Sequence, residues 1–121
     1  MKRKKIAIVF GASGQDGAYL SAFLLNKGYK VIGTTRNRSK KNLWRLIKLE
    51  IFKKFKLHKG QATDIKFCKK IIKKNIKEIY YLAGDSSVTR SFDQPENSLK
   101  SNALGILNIL STVKNKNKKI K

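Results

Sequence analysis

The residues best placed to do chemistry are glycines spaced three and three, in Gly11-Ala12-Ser13-Gly14-Gln15-Asp16-Gly17. In a loop that carries a strand into a helix, each glycine has its own mechanical task. Gly11 permits a tight turn, Gly14 lets bare backbone approach a pyrophosphate, and Gly17 lets helix and strand pack closely. The helix that follows offers unpaired N–H groups and a positive dipole end to phosphate oxygens. The motif lies between an apolar run and a helical period near the N-terminus, and this context raises a loose glycine pattern to a dinucleotide-binding signature. The plain alternative is a structural glycine-rich turn.

A second group of residues, at the end of the next strand, discriminates between cofactors. A binder of NAD typically places Asp or Glu there to hold the ribose 2′-hydroxyl. Here the stretch reads Thr34-Thr35-Arg36-Asn37-Arg38-Ser39, with no acid. Arg36 and Arg38 can neutralise a 2′-phosphate and Ser39 can donate to it, so NADP is favoured over NAD. Basic residues are common in this chain, so chance competes with that reading. Cys68 and His58 are the single cysteine and the single histidine. They exclude an intramolecular disulfide, and a Cys/His zinc site is not expected. Cys68 reads as a small buried filler, His58 as a strand residue, and Trp44 as a packing residue between helix and sheet.

Alternating strands and helices must position these groups. Residues 5–10 (KIAIVF) form a short continuous apolar run ended by glycine, the pattern of a buried strand. Residues 15–27 carry Leu20, Phe23 and Leu24 at helical spacing, with Gly28 where a helix C-terminal glycine belongs. A second strand is expected over 30–35. A helix over 39–52 places Leu43, Leu46, Ile47 and Ile51 on one face. A third strand spans 54–58, followed by a basic helix over 65–74 with Phe67, Ile71 and Ile72 inward. The fourth strand covers 78–83. A longer helix over 95–113 turns Leu99, Ala103, Ile106, Leu107 and Leu110 inward, and residues 115–121 form a charged, frayed tail. The order β-α-β-α-β-α-β-α implies an α/β parallel sheet with right-handed crossovers.

The chain has 121 residues and is 40% apolar, enough for one core. The longest apolar stretch is far too short to span a bilayer, and the basic start runs directly into strand and glycine rather than a cleavable leader. A cytoplasmic protein is the expectation. Charge is the anomaly: 29 Lys and Arg against 7 Asp and Glu give +22, and only five of the basic residues are Arg. Such a field attracts nucleic acid or other polyanions through counterion release. However, Arg is scarce and the aromatics fall within apolar periods, so the composition argues against a dedicated nucleic-acid binder.

The glycine loop, Arg36 with Ser39, the stretch Tyr81-Leu82-Ala83-Gly84-Asp85-Ser86-Ser87-Val88 and the loop Ser91-Phe92-Asp93-Gln94-Pro95-Glu96 together resemble the extended short-chain dehydrogenase/reductases. Within that group they are most similar to the GDP-mannose 4,6-dehydratases. The resemblance implies a Rossmann-like parallel sheet with helices on both faces, here stopping after the fourth β-α unit. It divides the chain into residues 1–113, the N-terminal part of an NAD(P)-binding domain, and residues 114–121, a basic tail. It also implies a tightly held NADP that oxidises the sugar at C4 and returns the hydride at C6 after water is eliminated across C5–C6.

Carried over by position, the resemblance puts Gly11, Ala12, Ser13, Gly14, Gln15, Asp16 and Gly17 around the pyrophosphate. Arg36, Asn37, Arg38 and Ser39 fall around the 2′-phosphate, and Gln61 with Ala62 near the adenine. Leu82, Ala83, Gly84, Asp85 and Ser86 fall along the ribose and nicotinamide, with Ser86 and Ser87 toward the sugar nucleotide. Departures from the family pattern are instructive. Gly60-Gln61 stands where the family has Gly-Asp, so an uncharged amide oxygen replaces the carboxylate. Asp85 stands where Gln is usual, and Asn97 where a tyrosine often follows Pro-Glu. Asp64 is expected to cap the following helix.

The family's Tyr-x-x-x-Lys pair, in which the lysine lowers the tyrosine's pKa, has no counterpart here. Four residues after Tyr19, Tyr29, Tyr80 and Tyr81 stand Phe23, Gly33, Gly84 and Asp85. No residue is assigned a catalytic or metal-binding role, and the chain alone is not expected to catalyse. The reading is the N-terminal NADP-binding portion of a dehydratase-like lyase whose complete form would take GDP-mannose or a related sugar nucleotide. The fourth strand's open edge offers self-association. Alternatives are a stand-alone NADP-binding or scaffold half-domain that pairs with another chain, a fragment of another sugar-nucleotide epimerase or dehydratase, and a basic nucleic-acid-binding protein.

Overall fold

The computed structural model describes residues 4–83 and 95–121, with the side chains of residues 40 and 95–99 left out of the description. The elements are β1 (Ile6–Phe10), α1 (Gln15–Asn26), β2 (Lys30–Thr35), α2 (Lys40–Lys48), β3 (Lys56–Lys59), α3 (Ile65–Ile71), β4 (Glu78–Tyr81) and α4 (Pro95–Lys116). The four strands form one sheet in the order β3-β2-β1-β4, and every pair is parallel. β1 is central because it can be: Ala7, Ile8, Val9 and Phe10 are fully buried, as a strand covered on both faces requires.

Alternation along the strands divides the core in two. Ile8 and Phe10 point to one face, where Cys68, Ile71, Ile72 and Ile109 of α3, its C-terminal end and α4 cover them. Ala7, Val9 and Val31 point to the other face, against Ala12, Leu24 and Leu20. Leu43, Leu46 and Ile51 join Ala18 in a third cluster that fixes α2 on α1. This is the doubly wound sheet expected from the alternation of elements.

Element ends differ from the sequence pattern for local reasons. α1 stops where its expected glycine stands: Gly28 has φ +90°, Tyr29 N–H donates to Leu24 C=O (3.0 Å) and Gly28 N–H to Leu25 C=O (3.0 Å). α2 ends in the same motif without a glycine. Ile51 N–H reaches Leu46 C=O and Glu50 N–H reaches Ile47 C=O, with Glu50 at φ 59°. The helix therefore closes at Lys48 rather than near residue 52. α3 closes at Ile71 rather than 74, because the chain turns extended at Ile72 and buries Ile72 and Ile76.

Several helical faces lie differently from their apolar periods. Phe23, Ile47 and Trp44, expected to pack, are exposed, with the Arg45 guanidinium over the indole. On α4 the buried positions are Gly105, Ile109 and Thr112, while Ala103, Ile106, Leu107 and Leu110 face outward. Leu99 lies outside the described side chains. The reason is tight contact with small groups: a Cβ on Gly105 would sit 2.7 Å from the Tyr81 hydroxyl and 3.3 Å from Ala62. That close approach, not hydropathy, selects the face α4 turns inward.

α4 also runs to Lys116, past the expected end at 113, and the residues after it are held rather than frayed. Lys116 Nζ donates to Lys69 C=O (2.7 Å) and Asn117 Nδ2 to Lys74 C=O (2.9 Å). Ile120 packs against the core, and Lys121 hydrogen-bonds to the outer edge of β4. No helix among the described residues is long and apolar enough to cross a membrane.

Candidate functional site

At the C-terminal end of the sheet, β1 passes into α1 through the glycine loop. Gly11 has φ +85°, and a Cβ there would lie 2.8 Å from the Leu82 carbonyl group and 2.9 Å from the Cα of Ala83. Only glycine fits against the backbone leaving β4. Gly17 is still more constrained, since its Cβ would come to 2.0 Å from Gly11 C=O. Gly14 differs: the nearest atom to its Cβ, Gly11 C=O, is at 3.5 Å, an ordinary contact. The protein's own packing demands Gly11 and Gly17 but not Gly14. A bare, exposed backbone at Gly14 suits a group that approaches from outside.

Gly14 is the N-cap of α1, with no side chain capping the helix. The amides of the first turn, at Gln15 and Asp16, therefore have no intrahelical partner and point into the space above the loop. The loop is pinned to the end of β2. Gly11 N–H donates to Thr34 Oγ1 (3.2 Å), Ala12 N–H to Thr34 C=O (2.9 Å), and Ser13 Oγ shares a hydrogen bond with Thr35 Oγ1 (2.8 Å). Thr34 and Thr35 are buried and were not singled out by sequence; their only signal is position at the strand end.

Beyond β2 the chain turns over exposed residues 36–39. Thr35 Oγ1 donates to Asn37 C=O (3.0 Å), and Asn37 Oδ1 accepts from Ser39 N–H (2.9 Å), so Asn37 organises the turn. Ser39 is the N-cap of α2, and its hydroxyl makes no capping bond. The two arginines part company. Arg38 donates to Leu57 C=O on β3, which ties it to the sheet edge. The positive charge of Arg36 opposes the upward pKa shift that burial, with Cys68 adding, imposes on Tyr81. Arg36 thus lies within electrostatic reach of Tyr81 at the end of β4.

The third wall is the turn after β3. Gly60 N–H donates to Thr35 C=O (2.9 Å), and a Cβ on Gly60 would strike the Phe67 ring at 2.4 Å. Gln61 is exposed and its carbonyl accepts from Asp64 N–H; Asp64 Oδ1 caps α3 through Lys66 N–H (3.0 Å) and Phe67 N–H (3.4 Å), the role expected of it. Ala62 is buried, and its carbonyl accepts from Asn108 Nδ2 (2.8 Å). Asn108 holds this turn from α4, a role its sequence context does not signal.

Leu82 and Ala83 stand beside Gly11; Gly84, Asp85 and Ser86 lie outside the described residues, as does the loop through Gln94. The expected residues 11–17, 36, 37, 39, 61, 62, 82 and 83 are thus brought to one end of the sheet, while Arg38 is drawn aside. None of the tyrosine or cysteine side chains with shifted protonation is tuned as a base. Burial pushes the Cys68 thiol up to about 11, and hydrogen bonding to Glu78 pushes Tyr80 up to about 12.

A sequence model described as GDP-mannose 4,6 dehydratase matches residues 8–121. The chain belongs to the GDP-mannose 4,6-dehydratase family. It is 39% identical over 120 residues to the human GDP-mannose 4,6 dehydratase, covering 93% of this chain and 32% of that protein. With the Vibrio cholerae GDP-mannose 4,6-dehydratase it shares 38% over 117 residues, 92% of this chain and 31% of the relative. The chain therefore spans about a third of the length of these relatives, at their N-terminal side in fold order. Among solved structures it is similar to a UDP-glucose 4-epimerase from Bifidobacterium longum in complex with NAD+ and UDP. That match has a TM-score of 0.78 and 27% identity, and covers 93% of this chain and 34% of the epimerase.

Proposed function

We propose that this chain is the NADP-holding portion of a GDP-mannose 4,6-dehydratase-type lyase. The observation that carries the reading is the contrast among the glycines: two are fixed by internal packing, and the third leaves open backbone at an uncapped helix start. That is the arrangement a pyrophosphate needs, with first-turn amides as donors and no side chain in the way. Arg36 and the free Ser39 hydroxyl, with no acid near them in sequence, favour a cofactor bearing a 2′-phosphate. When bound, NADP would supply the hydride acceptor and donor for a sugar dehydration that is redox-neutral overall. The chain's own part is to bind and orient it: residues 11–16 at the pyrophosphate, Arg36, Asn37 and Ser39 at the 2′-phosphate, and Gln61 as an uncharged acceptor toward adenine. Leu82 and Ala83 would border the nicotinamide side, with Gly84, Asp85 and Ser86 continuing from them. The sugar nucleotide and the catalytic base belong to the whole enzyme.

Calorimetric titration of NADPH and NADH, with thermal unfolding alongside, tests the assignment. Gly14→Val should leave the unfolding temperature nearly unchanged and abolish NADPH binding, whereas Gly17→Val should prevent folding. Arg36→Ala should weaken NADPH by about tenfold or more and leave NADH affected little, as expected for a lost charge-assisted contact. Unchanged NADPH affinity in Gly14→Val would sink the proposal.

A further inference from the structure

The edge of the sheet at β3 gathers positive charge from three directions. Leu57 packs on the face that α1 and α2 cover, so alternation turns Lys56 and His58 to the face that α3 covers. Two residues of strand set them about 6.6 Å apart. Lys70 stands on the exposed side of α3, and Lys73 follows that helix. Arg38, after β2, reaches across the edge to the Leu57 carbonyl. These four cations are exposed around a half-buried imidazole, and all four act on it.

Among the described residues no acid offsets the cluster. The acids with described side chains are Asp16, Glu50, Asp64 and Glu78, and none of them acts on His58. Asp64 is spent on the cap of α3, and Glu78 accepts from the Tyr29 and Tyr80 hydroxyls. Like charges gathered at one place repel, and His58 records it. Its pKa is held below the ordinary histidine value by burial first and by the four cations after that. An anion laid on the edge would relieve the repulsion and favour the protonated imidazole.

The side chains present choose among anions. Lysines are compact point charges with rotating donors, suited to phosphate oxygens, whereas a planar carboxylate is best met by an arginine fork. No large apolar side chain is exposed on β3 or α3, so the edge has nothing to sink into a bilayer. Charges spread over strand, helix and turn fit an extended chain of phosphates better than a compact ion. Scarce arginine argues against reading bases, but contacts to a phosphate backbone carry no sequence information and need no arginine.

We infer that the β3 edge, through Arg38, Lys56, His58, Lys70 and Lys73, is a docking site for the phosphate backbone of a nucleic-acid strand, bound without regard to base sequence. Binding draws a proton to His58, so the complex tightens as pH falls. Arg38, Lys56, Lys70 and Lys73 keep their charge throughout that range, and no other titratable group acts on the imidazole. The inference does not depend on which cofactor the glycine loop holds.

The test uses the full chain and a fluorescein-labelled oligouridylate of about fifteen nucleotides, a length within the usual single-strand site sizes. Uracil and the phosphodiesters do not titrate between about pH 5.5 and pH 7.5, so any proton taken up belongs to the protein. Fluorescence anisotropy in a salt series gives the affinity and its salt slope. Lys70→Gln with Lys73→Gln should weaken binding about tenfold or more at low salt. It should also cut the slope of log affinity against log salt by about 1.4, the share of two phosphate contacts on a single strand. Lys27→Gln with Lys48→Gln removes the same charge from residues that do not act on His58, and should change the slope by less than about half as much. Both pairs are exposed, so the unfolding temperature should stay close to the parent's. In the parent chain affinity should rise at least about threefold from pH 7.5 to pH 5.5, and His58→Gln should remove that rise. An oligoglutamate of equal length should bind at least about tenfold more weakly.

Equal losses in the two lysine pairs would overturn the inference in favour of diffuse attraction to the net charge. It is overturned equally by no binding, by a pH dependence that His58→Gln leaves intact, or by oligoglutamate binding as tightly as oligouridylate. Full displacement of oligouridylate by NADPH would overturn it in favour of the glycine loop.

Discussion

The two edges of the sheet solve the same problem in opposite ways. A strand at an edge presents unpaired N–H and C=O groups, and proteins protect it with charge, brevity or a cover. β3 is four residues long and reads Lys-Leu-His-Lys. Its one apolar side chain, Leu57, packs inward, and Arg38 reaches over to take the Leu57 carbonyl. Lys56, Lys70, Lys73 and Arg38 lie close enough to His58 to hold its pKa down together with burial, the larger cause. Any strand approaching β3 would meet cations. β4 is equally short, but Ile79 and Tyr81 turn toward a groove whose far wall is apolar. Among the described residues, Lys121 alone hydrogen-bonds to its outer side. The difference teaches that β3 carries the charges of a protected edge, whereas the outer side of β4 is apolar.

The sharpest break of that comparison lies on α4. Ile109→Ala removes a buried side chain and should cost ~2–4 kcal/mol, whereas Leu110→Ala, one residue on, should change stability by less than ~0.5 kcal/mol. Urea denaturation of the two variants measures both. Equal losses would mean that the outward face of α4 is covered in solution. Next, replacing the polar side chains of β3 with Lys56→Val and His58→Val should convert a protected edge into a sticky one. Light scattering should then rise with concentration while the glycine loop is untouched.

A smaller effect is expected at the Lys121 rung. Ile120→Asp should release it and speed exchange of the Ile79 amide by about tenfold, a loss of ~1.4 kcal/mol in local protection. Amides within β1 should not respond. The smallest effect is electrostatic. The pKa of His58 is lowered in the fold, so the unfolded chain takes up a proton first as pH falls. Stability is therefore fully present above the ordinary histidine value of about 6.5 and declines as pH falls through the lowered one. His58→Gln should flatten the slope of unfolding temperature between about pH 7 and pH 5, and added salt should flatten it in the parent chain.

Much of this molecule was legible because its signals are local. Strand and helix periods, three well-placed glycines and the lack of an acid after Thr35 depend only on neighbours in the chain. They sufficed for the parallel alternation of strands and helices, for the glycine turn between β1 and α1 and for Asp64 as a cap. Helical faces were harder to read. Ile106, Leu107 and Leu110 follow a helical period as faithfully as core residues, yet the side α4 presents inward is decided by Gly105 against Tyr81 and by Asn108 on the Ala62 carbonyl. Periodicity reports that a face is apolar; it does not report whether that face meets this chain or another.

By itself, then, the sequence determined the parallel α/β order and the glycine loop that joins β1 to α1, because turn geometry and strand burial are short-range. Tertiary structure alone decided which backbone atoms crowd Gly11 and Gly17, that Arg38 is drawn to the Leu57 carbonyl, and that the outer side of β3 is charged while that of β4 is apolar. Those outcomes depend on atoms of different elements brought within a few ångströms of one another, as Arg38 is to Leu57 and Gly11 to Leu82, where only packing can choose.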